Sequence, residues 1–211
     1  MVRIFALLIL VSFSTVFSNY ASGFEGSLQV LKTSHYDTTY IIYHVKDNKI
    51  RIEEYSNNAH FLSSYIIDIE EEIVFAIDPE RQLYKQISSK PFIPIEDSDI
   101  EIIKSENFIY LNGYRCNQWR VRNKERNTEI AYWVAKDDFL FYDKMLKLLN
   151  YTDKMVNYFL FIPGVTGYMP MMAIERTVLR DEKSRYEVKR IDREILDNNL
   201  FKIPDNYRQF N

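Results

Sequence analysis

The stretch TTYIIYHVKDNKIRIEEYS, residues 38–56, decides the fold. Successive side chains of a strand point to opposite faces, so Thr39, Ile41, Tyr43 and Val45 share one face of a strand. Asp47-Asn48-Lys49 is a turn signal, and Ile50 and Ile52 resume the alternation behind it, which reads as a β-hairpin. The pattern repeats downstream. Tyr65, Ile67 and Ile69 lead into the acidic turn Glu70-Glu71-Glu72, and Ile73, Phe75 and Ile77 follow. Asp78-Pro79-Glu80 is a type I turn signal, because proline presets φ and the aspartate bonds the backbone ahead of it. It opens a strand over 82–87, so the chain up to Ile87 reads as a meander of antiparallel strands.

Residues 88–99 break the pattern with Pro91, Pro94 and the run Glu96-Asp97-Ser98-Asp99. Adjacent acids without glycine spacing do not match a calcium loop, so a solvated connection is expected there. Three further strands are predicted over 100–110, 114–122 and 128–135, with Gly113 at a bulge or tight turn and 123–127 as a hairpin connection. The helical period then appears in DDFLFYDKMLKLLN, residues 137–150: Phe141, Met145 and Leu148 recur at i, i+4 and i+7, and Asp143, Lys144 and Lys147 form a narrow polar stripe. Asp137 is the expected N-cap and Asn150 the expected C-terminal stop. A second helix is predicted over 153–161 behind a Thr152 cap, ending at Pro163-Gly164. IPGVTGYMPMM, residues 162–172, reads as a loop, followed by strands over 172–180 and 184–194 and an extended tail over 200–210.

The first residues, MVRIFALLILVSFSTVFSNYASG, have one cation at Arg3, an uncharged apolar run and a small polar end, the layout of a secretory signal. The apolar run is shorter than the roughly 20 residues a spanning helix needs. Cleavage is expected after Ser18, with Ala21 and Ser22 as alternatives, which divides the chain into a signal at 1–18 and a single domain at 19–211. The chain of 211 residues carries a formal charge of −3 with both signs interspersed, which offers none of the basic footprint that nucleic-acid binding needs. Its one cysteine, Cys116, cannot form an internal disulfide and reads as a small buried residue on a strand.

High-specificity catalytic signatures are absent from the sequence. Five glycines exclude a glycine-rich phosphate cradle, and there is no HExxH, no GxSxG and no cysteine pair. His35, His44 and His60 are irregularly spaced without an obvious carboxylate partner, so strand or turn positions on a wet face are expected rather than a metal site. No metal, cofactor or catalytic role is expected.

What stands out is the count of 16 tyrosines and 14 phenylalanines together with clustered methionines. Methionine is flexible and polarizable, which suits adaptable apolar surfaces. On the helix, Phe141, Met145, Leu148 and Leu149 are the candidate lining of an apolar cavity or its lid. Phe159 joins them from the second helix, and Tyr168, Met169, Met171 and Met172 from the 162–172 segment. The plainer alternative is that the same residues plug the open face of a curved sheet.

Several short motifs fall in a suggestive order: Phe24 to Gly26, Gly113-Tyr114-x-Cys116, Trp133, an apolar helix, Ile162-Pro163-Gly164, and Phe201-x-Ile203-Pro204-x-x-Tyr207. In this the chain resembles a family of exported bacterial domains of unknown function, similar in outline to the outer-membrane lipoprotein carrier and receptor proteins. The resemblance implies a mainly β (α+β) fold: a strongly curved antiparallel sheet forming an open half-barrel, with one or two helices covering the concave face. It implies residence in the periplasm or cell envelope of a Gram-negative bacterium, with peripheral membrane contact. It implies further a non-enzymatic carrier or binding protein for a lipid or other apolar ligand, and, in the alternative, an envelope scaffold that binds a protein partner through a filled fold. Gly113 would bend the strand and Cys116 would pack against the helix.

Overall fold

The computed structural model describes residues 23–88, 100–149, 154–177 and 179–210. The predicted signal, the proline and acidic residues of the 88–99 connection, and the caps at Asn150 and Thr152 lie outside the described residues. In chain order the strands are β1 (Gly26–Ser34), β2 (Thr38–Lys46), β3 (Lys49–Ser56), β4 (Phe61–Asp68), β5 (Ile73–Asp78) and β6 (Leu83–Ile87). Then come β7 (Ile100–Leu111), β8 (Tyr114–Asn123), β9 (Thr128–Phe139), the helices α1 (Leu140–Leu149) and α2 (Lys154–Leu160), β10 (Gly167–Arg176), β11 (Glu182–Asp192) and the short β12 (Arg208–Gln209).

The strands form one 12-stranded sheet in the order β12-β6-β5-β4-β3-β2-β1-β11-β10-β9-β8-β7. Its neighbours pair antiparallel except β12, which runs parallel to β6. Two long-range contacts require the sheet to curl. Helix α1 lies against β10 and also touches β5, although β4, β3, β2, β1 and β11 stand between those two strands in the sheet. The turn between β7 and β8 reaches β11, where Asn112 Nδ2 donates to the Val188 carbonyl at 2.7 Å. The sheet does not close, because β7 and β12 remain its two ends.

The period-two reading holds for the first hairpin, while on β5 it is Val74 and Ala76, not Ile73, Phe75 and Ile77, that continue the face of Ile67 and Tyr65. Ile41, Tyr43 and Val45 are buried on β2 and Ile50 and Ile52 on β3, joined by a two-residue turn in which Asp47 takes φ 53°. Asn112 and Gly113 (φ 50° and 80°) form the β7–β8 turn, where positive φ at both positions matches the right-handed twist of the strands. Gly113 therefore reverses the chain rather than bending a strand. The tail packs on the body as expected: Leu196 and Phe201 are buried, Lys46 Nζ donates to the Leu196 carbonyl at 2.6 Å, and Arg51 Nη1 donates to that of Leu200 at 3.2 Å.

Three local expectations are corrected. Strand β9 runs through Phe139, which pairs with Gly167, so Asp137 belongs to the strand and caps no helix. Its carboxylate and that of Asp138 are both held by Arg193, at 2.7 and 2.9 Å, and the guanidinium also lies over the Phe24 ring. Half of the 162–172 segment is strand rather than loop, since β10 begins at Gly167. Pro170 is accommodated because the β9–β10 register shifts between Pro170 and Met172, and a bulge needs no ladder donor there. Asp143, placed on the polar stripe by its spacing, is 2% exposed; its Oδ2 accepts from Lys147 Nζ at 3.0 Å and Thr166 Oγ1 at 3.4 Å.

Two residues of the predicted motifs have clear physical roles. Gly26 has φ 146°, and a Cβ there would run into the carbonyl of Asp192 on the paired strand β11, so the β1–β11 junction needs a residue without a side chain. Cys116 is fully buried in the core; burial pushes its thiol up to about 11, well out of the thiolate range at neutral pH. Gly26→Ala should therefore lower the urea-unfolding stability by about 1–3 kcal/mol. Gly23→Ala, with open space around its Cβ, should stay within about 0.5 kcal/mol. In a maleimide reaction at pH 7.5, native protein should leave Cys116 unmodified over hours while urea-unfolded protein reacts fully; rapid labelling of the native chain would contradict the buried thiol.

Candidate ligand pocket

The residues proposed from sequence to line a cavity converge, but into a packed layer. Met145, Met169 and Met171 are 0% exposed, Phe159 1% and Phe141 5%, while Leu148, Leu149, Tyr168 and Met172 are half-buried. All but Met172 belong to, or pack against, one continuous hydrophobic cluster that joins α1 and α2 to both halves of the sheet. Aromatic contacts tie the layer together: Tyr132 and Tyr142 each approach Phe159, at 5.5 and 5.7 Å between ring centres, and Phe24, Phe139 and Phe141 pack mutually. The Tyr132 hydroxyl donates to the Met155 carbonyl of α2 at 2.6 Å, which gives the buried phenol the partner it requires.

Beneath α1 the phenols of Tyr43 on β2, Tyr186 on β11 and Tyr142 on the helix meet. Burial, with Tyr142 and Tyr43 as neighbours, raises the pKa of Tyr186 well above that of a free tyrosine. At the far side of the layer Trp119 stacks on Tyr168 at 4.7 Å, under Lys104, whose Nζ lies 4.3 Å from the Trp119 ring centre and donates to the Pro163 carbonyl at 2.6 Å.

The open apolar space lies elsewhere. A pocket of about 290 Å³ sits on the β4–β6 arm, with Phe61, Tyr65, Ala76, Leu83, Lys85 and Phe210 in its wall. Its size is near the lower end of the ~300–1,000 Å³ common for ligand clefts. Strand registers explain its position. Leu28 stands opposite Tyr43, Tyr43 opposite Ile52, Ile52 opposite Tyr65, Tyr65 opposite Ala76, and Ala76 opposite Lys85. This single cross-strand row starts fully buried at Leu28 and ends exposed at Lys85, so the pocket is where the core face of the sheet emerges into solvent. Phe210 closes the outer side, with Lys85 Nζ 5.3 Å from its ring centre. The charged groups at the rim are Asp78, Arg81 and Lys85. Alternation in the sequence groups Ile73, Phe75 and Ile77 and leaves Ala76 on the opposite face, and only the register from β1 through to β6, which sets Ala76 between Tyr65 and Lys85, brings the set together.

Of the histidines, His35 and His60 are exposed in turns and His44 is half-buried on β2. Burial lowers the His44 pKa, partly offset by Glu53. Among the described residues no group of three or more His, Cys, Asp or Glu is placed to hold a metal ion, and no helix is long and apolar enough to cross a membrane.

Several solved structures are similar to this chain at low sequence identity. An uncharacterized conserved protein from Thermus thermophilus is 9% identical, with 88% of this chain and 90% of that one covered at a TM-score of 0.50. The MucA/MucB complex of Pseudomonas aeruginosa is matched at 8% identity over 89% of this chain and 57% of that one, with a TM-score of 0.48. A domain from Vibrio parahaemolyticus described as that of a putative outer membrane lipoprotein-sorting protein is matched at 7% identity over 83% and 87%, with a TM-score of 0.28. Among functionally curated proteins nothing matches the sequence. The model of a domain of unknown function, DUF4412, matches residues 24–207, nearly the whole described chain, and the protein is a member of that family.

Proposed function

We propose that the protein is an exported, non-enzymatic binding protein of the cell envelope that takes up an apolar ligand, a lipid acyl chain being the chemistry that fits best. The observation that carries this reading is the cross-strand row that leaves the packed core at Leu28 and opens into the pocket beside Ala76 and Phe210. Residues 1–18 would direct export and be removed, leaving the domain from residue 19 onward. A ligand chain lying along Tyr65 and Ala76 gains about 0.8 kcal/mol for each methylene it buries. At the rim Asp78 approaches Arg81 at 3.8 Å, which leaves Lys85 to meet an anionic head group.

In this reading α1 covers the concave face, and Phe141, Met145, Leu148, Leu149, Phe159, Tyr168, Met169, Met171 and Met172 form the floor and lid of the same apolar layer. The lid is filled; a longer chain would enter from the β4–β6 arm and displace flexible methionine side chains rather than rigid backbone. A second reading has its own observation. Strand β7 is a 12-residue sheet edge with Phe108 and Tyr110 exposed, a form suited to pairing with a strand of an envelope protein partner.

The pocket reading is tested with an anthroyloxy-labelled fatty acid titrated into the mature protein. Saturable one-to-one binding is expected, weakened at least tenfold in Ala76→Trp, which fills the pocket, with the unfolding midpoint held. Probe affinity unchanged by Ala76→Trp in a folded variant would sink the assignment of the pocket. Strand-specific photo-cross-linking from position 106 on β7 that captures one envelope protein, together with absent probe binding, would favour the second reading.

A further inference from the structure

The face of the sheet opposite the core carries a second concavity of about 800 Å³, bounded by β8, β9, β10 and the turn after β10. Trp119 and Tyr132 point into the core, so Arg120 and Ala131, their chain neighbours, face the other way. Arg120, Arg122 and Lys124 follow at every second position along β8 and just past its end, and so share that face at a spacing of about 7 Å. Arg122 stands opposite Glu129, and Glu129 opposite Arg176, which places the two arginines two strands, roughly 10 Å, apart. Arg180 in the following turn completes the rim, so five cations line the groove against one carboxylate, Glu129.

That carboxylate is already committed. Glu129 Oε2 accepts from Arg122 Nη2 at 2.7 Å and from Nε at 2.9 Å, while Arg120 Nη1 is 4.0 Å from Oε1. Glu101 and Glu182, outside the groove, approach Arg122 and Arg176 only at 3.5 and 3.8 Å, and Glu182 is held at 2.8 Å by Arg185. Arg120 Nε is buried and has no hydrogen-bond partner among the described residues. A buried donor left unmade costs free energy, and the groove keeps a surplus of cations that its longer ion pairs, Lys124 to Glu101 at 3.9 Å among them, offset only in part. The chain as a whole is acidic, at −3, so the surplus is local and concentrated. The contrast with a third concavity is direct: between the β2–β3 turn and the tail, Lys46, Lys49 and Lys202 face Asp47, Asp68 and Glu70, and the charges balance.

We propose that this groove binds a soluble ligand bearing several oxyanion groups, phosphate, sulfate or carboxylate, about 7–10 Å apart. The spacing of the cations along β8 and across to β10 sets that separation. The depth of the groove, with Ala131 on its floor, suits a discrete solute rather than a flat head-group layer. Arg120, Lys124, Arg176 and Arg180 are the cations that Glu129 does not hold in a close pair, and they are the ones offered to the ligand. The site is independent of the apolar pocket, which lies on the opposite arm and the opposite face.

Calorimetric titration of the mature protein with inositol hexakisphosphate at 0.15 M salt tests the proposal, because the screening length is then about 8 Å and diffuse attraction is weak. Saturable one-to-one binding is expected, with inorganic phosphate at least tenfold weaker. Arg120→Gln with Arg180→Gln should weaken binding at least tenfold, and Arg180→Gln alone, in an exposed turn with no bearing on the fold, at least threefold. Lys189→Gln with Lys202→Gln, the same charge change at remote sites, should change it less than twofold. Equal losses in both double variants would reduce the effect to net charge and overturn the site. So would absence of saturable binding, or association only with vesicles of phosphatidylglycerol and phosphatidylcholine.

Discussion

The curl of the sheet depends on one apolar layer being shared by its two arms. Helix α1 touches β10 and β5 at once, and Phe24, Tyr132, Tyr142, Phe159 and the buried methionines fill the space between. Removing a buried methionine or phenylalanine from such a layer costs about 2–5 kcal/mol, a large share of the roughly 5–15 kcal/mol by which a domain is stable. Without that layer, a sheet of twelve strands with two open ends has no reason to bend toward itself. The Gly26 junction, the Arg193 clasp on Asp137 and Asp138, and the Asn112 bond to Val188 fix the geometry that the apolar layer demands.

From that constraint follows the division between the filled and the open parts of the molecule. The layer is thickest under α1, where Met145 and Leu146 are sealed, and thins along the row from Leu28 to Lys85 as the sheet passes beyond the helix. The apolar pocket is the place where core-facing residues outrun their cover. The tail supplies what cover there is: after crossing over Leu196 and Phe201 it pairs β12 with β6 and sets Phe210 at the pocket. The apolar pocket and the packed core thus use the same face of the same sheet, at different distances from the helix.

Much of the fold was legible in the sequence. Strict alternation in residues 38–56 sufficed for the first hairpin, whereas on β5 it pointed to Ile73, Phe75 and Ile77 while the register sets Val74 and Ala76 opposite Ile67 and Tyr65, because β4 and β5 bury residues on both faces. Where both faces are covered, or where a side chain acts at long range, alternation fails. Strand β10 looked like a loop because Pro170 and the methionines mask its period, and Asp137 looked like a cap because Arg193, 56 residues away, is invisible to local pattern. The apolar residues of α1 and the 162–172 segment, proposed from the sequence as a cavity lining, are packed into the core, Met172 excepted. Burial alone does not separate residues that fill a space from residues that line one, and the pocket itself depends on registers running from β1 to β6. The basic groove was hidden for the same reason: its cations come from separate strands and a turn, diluted in a chain of mixed charge.

The central claim is that the core face carries an apolar ligand in the envelope. Native mass spectrometry of the mature protein, purified gently from its own envelope fraction and followed by organic extraction, tests it most directly. The account predicts a stoichiometric co-purifying lipid, lost from the Ala76→Trp variant. A ligand-free mass that stays unchanged after incubation with envelope lipids would contradict it and leave the β7 edge as the functional surface.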